Sequence, residues 1–325
     1  MLISQRTLLY DDSTDARGIG SAKRETSGKP AACLLSESCE SRESRTSRPS
    51  RYKHNPCCDM TAQATERFEI ALNTPAGQLT TAAEVPSGFV PVTAIVPLMR
   101  RLGEEAQALE VARLIESGKT LSCQKGCAAC CRMMVPLSAP EAFALKEFVQ
   151  SLPTERQQRI STRLAQTKSL LLSHGLWHRL LEMGETTQPP DDGALEPINR
   201  DYYVLRTPCP FLEDEVCSIY EERPSACREL LVTSPAERCQ DFMKNQVEQI
   251  QAPVRIGPAL GLLWGGLTNT PARLIPLPIA LDWAERHQGE NQSMWQGTKL
   301  LDQALDKVWR FLSQAFQKGS EELDG

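Results

Sequence analysis

Apolar positions in the first third of the chain recur at intervals of three and four residues, which is the period of an amphipathic helix. The positions are Val92, Ile95, Val96, Met99, Leu102, Ala106, Leu109, Ala112, Leu114 and Ile115. Gly118 follows them as a helix-stop signal. The pattern therefore predicts one long helix that ends shortly before the first group of cysteines.

Further helices are predicted downstream. Ser138 and Glu141 have the spacing of a capping box, which predicts a helix through about Gln150 that Pro153 closes. Helical patterns also cover 154–183, 271–287 and 292–317, while prolines and glycines predict a loop over 184–199. Because runs of alternating β-branched residues are nearly absent, we expect a mostly α, irregular helical domain.

The N-terminal stretch differs from the rest of the chain. Residues 1–59 are poor in large apolar side chains and rich in Ser, Arg and Glu. Such a composition buries too little apolar surface to offset the entropy of ordering, so we predict a disordered tail. Met60 opens a more ordinary sequence and is an alternative start. We expect residues 60–325 to form a single metal-binding helical domain with its cysteine-cluster core at 121–240.

Charge and hydropathy exclude several classes of protein. The net charge of −5 gives no electrostatic reason to expect nucleic-acid binding. The longest uncharged apolar stretch, 256–267, is shorter than the roughly 20 residues of a membrane span. The N-terminus lacks the basic and apolar regions of a secretory signal. We therefore expect a cytoplasmic protein with no membrane partner, and the sequence indicates no particular protein partner.

Cysteines carry the candidate chemistry. Eight of the twelve fall in two groups: Cys123, Cys127, Cys130 and Cys131, then Cys209, Cys217, Cys227 and Cys239. The other four, Cys33, Cys39, Cys57 and Cys58, lie in the predicted tail and are discounted as ligands. Thiolates this dense in a chain without an export signal are more often metal ligands than disulfides. Both Zn²⁺ and iron–sulfur clusters accept them.

If the first group lay on a single helix, its four cysteines could not bind one ion. In an α-helix Cys123 and Cys131 would lie about 12 Å apart along the axis. Gly126 indicates a turn instead, followed by a helix that starts near Ala128, and this arrangement would bring three of the sulfurs together. Eight thiolates could make two four-cysteine sites, one polynuclear site, or one site with spare cysteines. The sequence does not decide among these.

The second group has wider spacing. An acidic turn, Glu213-Asp214-Glu215, separates Cys209 from Cys217 and predicts a short hairpin. Pro224 suits the first turn of a helix that carries Cys227. A tetrathiolate zinc carries a formal charge of −2, so nearby cations would help to neutralise it. The candidates are Lys125, Arg132, Arg223, Arg228 and Arg238.

The cysteine spacing and its flanking Ile-Tyr, Arg-Pro and Cys-Arg residues resemble the YkgJ-type cysteine-cluster proteins, a family of zinc- or iron-chelating domains. The resemblance covers roughly residues 121–240 and implies that all eight clustered cysteines are metal ligands. The acidic Glu213–Glu215 turn departs from the family, which often has a glycine there. Some flagellin lysine N-methylases are similar to the same domain, so the resemblance also admits an enzyme.

Other interpretations are weaker. Structural disulfides conflict with the adjacent Cys130–Cys131 pair, although Cys239 alone could be a small buried side chain. The spacing of Cys123, Cys127 and Cys130 resembles that of radical S-adenosylmethionine enzymes, but the expected aromatic residue and strand-rich barrel are missing. His174 and His178 could pair on one helix, although exposed polar residues are the simpler interpretation. We identify no catalytic residue and no organic-cofactor site.

We therefore predict a metal-binding protein whose zinc or iron, including a possible 4Fe–4S cluster, is structural or stored. The alternative is a metal-dependent enzyme, such as a protein lysine N-methyltransferase or a redox enzyme that uses the cluster.

Overall fold

A computed structural model describes residues 23–24, 64–186 and 192–321. This part of the chain is mostly helical, as predicted. The helices are α1 (Val96–Glu116), α2 (Ala139–Ser151), α3 (Thr154–Ser173), α4 (Leu176–Glu185), α5 (Asp192–Val204), α6 (Ser225–Glu229), α7 (Ile256–Thr268), α8 (Ala280–Arg286) and α9 (Gly297–Glu321). Within the described ranges, no helix is both long and apolar enough to cross a membrane.

The strands are mostly two-residue pairs. They are β1 (Lys23–Arg24), β2 (Thr65–Thr74), β3 (Gly77–Pro86), β4 (Phe89–Val90), β5 (Pro136–Leu137), β6 (Leu212–Glu213), β7 (Val216–Cys217), β8 (Leu231–Val232), β9 (Gln249–Ile250), β10 (Ile275–Pro276) and β11 (Trp295–Gln296). All pairings are antiparallel: β1 with β2, β2 with β3, β4 with β11, β5 with β10, β6 with β7, and β8 with β9.

Several predicted helices are confirmed. α1 follows a 3-10 turn at Val92–Ile95 and ends two residues before Gly118, which has a positive φ of 86°. α2 begins at the predicted capping box. α9 covers most of the predicted C-terminal helix but begins later, at Gly297.

The ten-residue hairpin of β2 and β3 was not predicted. Phe68, Ile70 and Leu72 alternate with exposed residues and are buried, which is the period of a half-buried strand. Few of the strand residues are β-branched, so the strand propensity of this segment is weak and its alternation does not stand out in the sequence. β1 pairs with β2 from within the predicted tail. The remainder of residues 1–59 lies outside the described residues.

Three other predictions are corrected. The helix over 154–183 is interrupted at Gly175, whose φ of 70° is incompatible with an α-helix, so it forms α3 and α4. The loop over 184–199 is replaced in part by α5, which contains Pro197, while 187–191 lie outside the described residues. Within 271–287, Pro276 and Pro278 confine the α-helix to α8.

The core is centred on α2, which packs against both α7 and α8. Phe143 of α2 lies 5.6 Å from the ring of Trp264 and 5.3 Å from the ring of Trp283. The Trp283 indole N–H donates to the carbonyl of Gly184 at 3.0 Å, which attaches α8 to α4. These contacts join α2, α4, α7 and α8 in the main core.

Two buried carboxylates hold the short helix α6 at both ends. Glu141, whose side chain is fully buried, accepts a hydrogen bond from the Ser225 backbone N–H at 2.8 Å and another from the Ser138 N–H at 3.2 Å. Glu229 accepts the N–H of Ile256 at 2.7 Å. The first contact joins α2 to α6, and the second joins α6 to α7. The position of Cys227 is therefore fixed by the main core.

Replacing Glu141 with alanine tests this attachment. Glu141→Ala leaves two buried backbone N–H groups without their acceptor, so we expect the free energy of unfolding to fall by about 2–4 kcal/mol in urea titrations. Glu155→Ala is the control, because Glu155 is largely exposed and pairs only with Arg159 one turn away; its cost should stay below about 0.5 kcal/mol. Equal effects of the two substitutions would contradict the attachment.

Candidate metal centre

The first cysteine segment is a turn between α1 and β5. Gly126 has a φ of 94°, and the Cys127 N–H donates to the Gln124 carbonyl at 3.0 Å. This is the turn that Gly126 predicted. The helix expected from Ala128 is only a 3-10 turn, Ala129–Arg132, which carries Cys130 and Cys131. A 3-10 turn rises about 2.0 Å per residue against about 1.5 Å in an α-helix, so the approach of the sulfurs depends on the chain reversal at Gly126.

The second segment places three of its cysteines on short elements and one in the loop before β6. Cys209 precedes β6, and Cys217 lies at the end of β7 opposite Leu212. The two turn residues between these strands, Asp214 and Glu215, have φ values of 49° and 60°, which is the backbone of a type I′ turn. The remaining two cysteines lie on α6, which contains Cys227, and on the 3-10 turn Ala236–Gln240, which contains Cys239.

Backbone hydrogen bonds bring the two segments together. The Cys209 N–H donates to the Cys131 carbonyl at 2.7 Å. The Val232 N–H donates to the Cys123 sulfur at 3.3 Å. The 3-10 turn that contains Cys239 packs against the one that contains Cys130 and Cys131. The predicted site residues from distant parts of the chain therefore lie in one region.

Burial and mutual repulsion raise the pKa of most of these thiols. Burial is the main cause for Cys209, whose pKa rises to about 12, and for Cys239, whose pKa rises to about 11. The charges of neighbouring thiolates add to the increase. Burial followed by neighbouring thiolates also raises the pKa of Cys227 well above its usual value. Thiols in this arrangement bind protons strongly unless another cation replaces those protons.

Cys130 is the exception. Its pKa falls to about 7, chiefly because the Cys131 thiol donates a hydrogen bond to its sulfur, although burial opposes the change. The same hydrogen bond raises the pKa of Cys131. Cys130 is therefore the member of the adjacent pair that loses its proton more readily to give the thiolate, the form that binds metal.

Backbone N–H groups and one arginine favour the charged form of several sulfurs. The N–H groups of Val232, Phe211 and Ile219 lower the pKa of Cys123, Cys209 and Cys217, respectively. The guanidinium of Arg223 acts in the same direction on four thiols, Cys123, Cys130, Cys217 and Cys227. These contacts would also stabilise metal-bound thiolates.

The other predicted cations differ in their contacts. Arg228 lowers the pKa of Cys217, and the charge of Cys131 contributes to a raised pKa of Arg132, after its hydrogen bond with Glu215. Lys125 and Arg223 lie over the Tyr220 ring, 5.1 and 3.7 Å from its centroid. Lys125 thus connects the first segment to the second. The described hydrogen bonds of Arg238 involve its backbone: its N–H donates to the Pro235 carbonyl, and its carbonyl accepts bonds from the Asp241 N–H and the Asn245 side chain.

Two arginines near the thiols were not identified from the sequence. Arg163 of α3 donates to the Pro210 carbonyl at 2.6 Å and lowers the pKa of Cys209. Arg100 of α1 is buried, donates to Glu222 at 3.1 Å, and interacts electrostatically with Cys227. Both lie on helices distant in sequence from the thiols they face. No local motif marks them, so only the tertiary structure reveals their proximity.

The donor set fits a soft cation in its chemistry. The eight clustered cysteines are free thiols, so the structure contains no disulfide among them. Within the described ranges, no three Cys, His, Asp or Glu side chains are arranged as a finished ion site. His174 and His178 lie on either side of Gly175, at the end of α3 and in α4, and do not share a helix. The thiols are gathered in one region and would have to close around a cation.

A tyrosine hydroxyl secures the segment that carries Cys239, and its removal is a test. The Tyr203 hydroxyl accepts the Phe242 N–H at 3.0 Å and lies 3.4 Å from the Gln240 carbonyl. We expect Tyr203→Phe to cost about 1 kcal/mol of stability and to speed hydrogen exchange at the Phe242 amide. Tyr220→Phe is the control, since the described contacts of Tyr220 with cations involve its ring. Unchanged exchange in Tyr203→Phe would refute this role.

Comparison with known proteins gives one match. Residues 122–250 match a family model described as "Putative zinc- or iron-chelating domain", which covers less than half of the 325-residue chain. No curated protein and no solved structure matches. The matched range contains all eight clustered cysteines and ends with β9. It is consistent with a cysteine-cluster family and supports a metal-binding role for this segment, with zinc or iron as the metal.

Proposed function

We propose that this protein binds zinc or iron through the eight clustered thiolates, and that the metal is structural or stored. The proposal is carried by the convergence of eight free cysteines, from two segments far apart in the sequence, into one region of the fold. The matched family description supports the same role. The proposed ligands are Cys123, Cys127, Cys130, Cys131, Cys209, Cys217, Cys227 and Cys239.

Electrostatics supports metal binding as well. Neighbouring thiolates raise one another's pKa, which measures the free-energy cost of ionising them together. A divalent cation removes that cost because it attracts each thiolate directly. Arg223, which lowers the pKa of several of these thiols, would offset the excess negative charge of a tetrathiolate centre.

The local secondary structure supports a structural role for the metal. Five of the proposed ligands lie on 3-10 turns, a two-residue strand and the five-residue helix α6, and the other three, Cys123, Cys127 and Cys209, lie in loops. Such short elements have little stability of their own. A bound metal would connect them, so that binding free energy becomes folding free energy.

An enzymatic role has less support. One cavity, of about 640 Å³, lies between the β2–β3 hairpin, α1 and α9. Its lining includes Arg67, Arg101 and Leu300 and none of the eight cysteines. A methyltransferase or redox enzyme that uses the cluster would bind its substrate beside the thiols. This cavity therefore gives no support to the enzyme hypothesis.

Metal content tests the proposal directly. Protein purified without oxygen should contain at least about one zinc or iron per chain by elemental analysis. A brown solution would indicate an iron–sulfur cluster and a colourless one zinc. Cys127→Ser should contain less metal than the wild type, whereas Cys33→Ser, from the predicted tail, should contain the same amount. Less than about one metal per chain, with all eight clustered thiols open to a thiol reagent, would refute metal binding.

Metal removal should lower thermal stability. A ligand present at about 100 times its Kd stabilises the folded state by about 2.7 kcal/mol. For a domain of this size that corresponds to a fall in Tm of about 5–10 °C when a chelator is added. Circular dichroism would follow the transition, and added zinc or iron should restore it. Cys127→Ser should show a smaller shift than the wild type. A chelator-insensitive Tm in metal-loaded protein would contradict the structural role.

A further inference from the structure

Packing separates the clustered thiols into two environments. Cys123 and Cys127 contact a small apolar cluster that contains the buried Cys239 together with Tyr203 and Phe242. Cys209 and Cys217 pack instead against the main core. Cys123, Cys127 and Cys239 thus lie in one apolar environment, and Cys209 and Cys217 lie in another.

The adjacent pair Cys130–Cys131 lies between these environments. The turn that carries the pair, Ala129–Arg132, packs on one side against the turn that carries Cys239. On another side the Cys131 carbonyl accepts a hydrogen bond from the Cys209 N–H. Successive side chains of a 3-10 turn point about 120° apart. The two neighbouring sulfurs, which contact each other through the Cys131 S–H, can therefore each face a different set of thiols on the side away from that contact.

Cys227 belongs with the thiols on the main core. It lies on α6, which packs against α1 and α7 and whose Ser225 N–H donates to Glu141 of α2. Three thiols therefore lie on each side of the Cys130–Cys131 pair.

We propose that the eight thiols form two neighbouring four-thiolate centres that meet at Cys130–Cys131. The first centre comprises Cys123, Cys127, Cys130 and Cys239, and the second comprises Cys131, Cys209, Cys217 and Cys227. Four sulfurs match the coordination number of a divalent ion such as Zn²⁺ in a closed structural site. This inference rests on the proposed metal binding and specifies the number and membership of the sites.

The division links the two segments twice. The first centre takes three ligands from the first segment and only Cys239 from the second. The second centre takes Cys131 from the first segment and three ligands from the second. Each metal therefore joins both parts of the chain, in opposite proportions. Loss of one centre should leave the other able to close.

Zinc stoichiometry in paired variants tests the division. Wild-type protein from zinc-supplemented medium should contain about two zinc ions per chain. Cys127→Ser and Cys217→Ser should each contain about one, and the double variant essentially none. Cys33→Ser should match the wild type. Thiol alkylation under native conditions, mapped by mass spectrometry, should modify the remaining cysteines of the first centre in Cys127→Ser and those of the second centre in Cys217→Ser, while the four cysteines of the intact centre stay protected.

A second measurement avoids dependence on the folding of variants. Wild-type protein exchanged with ¹¹³Cd should give two resonances of equal intensity without coupling between them. One metal centre per chain, whether a zinc ion or an iron–sulfur cluster, would overturn the division, as would ¹¹³Cd–¹¹³Cd coupling through a shared thiolate or alkylation of all remaining thiols in either variant. Those results would leave metal binding intact. Wild-type protein with no metal would instead refute the proposed function.

Discussion

Repulsion between thiolates is the constraint on which the structure around the eight clustered cysteines depends. Each clustered sulfur lies within the electrostatic reach of others, and burial makes the charged forms more costly. Without a cation, the low-energy arrangement has most of the thiols protonated. The short elements that carry the clustered cysteines are therefore expected to pack together most stably when a cation lies among the thiolates.

Contacts outside the cysteine cluster hold part of it in position. The aromatic contacts of Phe143, Trp264 and Trp283 make α2, α7 and α8 one body. Glu141 then extends from that body to the start of α6, so Cys227 is placed by the core. Cys209 and Cys217 also pack against that core, whereas Cys123, Cys127 and Cys239 pack in a separate small apolar cluster.

Much of the fold could be predicted from the sequence wherever local signals agree with tertiary packing. α1 and α2 were predicted because their apolar spacing and capping residues act within one element. The β2–β3 hairpin was missed because its alternation involves few β-branched residues, and α5 because prolines and glycines suggested a loop. The eight cysteines were evident from spacing alone. Their grouping and the arginines that face them, such as Arg163, depend on contacts across the chain, which no local pattern encodes.

The distance along the chain between the two cysteine segments has a consequence for biosynthesis. A centre that draws ligands from both segments cannot close until the second segment has left the ribosome. At 5–20 residues per second, the thiols that follow α1 wait roughly 5–20 s for Cys239 to be synthesised. During that interval they are open to oxidation and to adventitious metals. For the proposed metal centre, the order of the elements would therefore make folding depend on keeping the thiols reduced and supplied with metal until Cys239 is made.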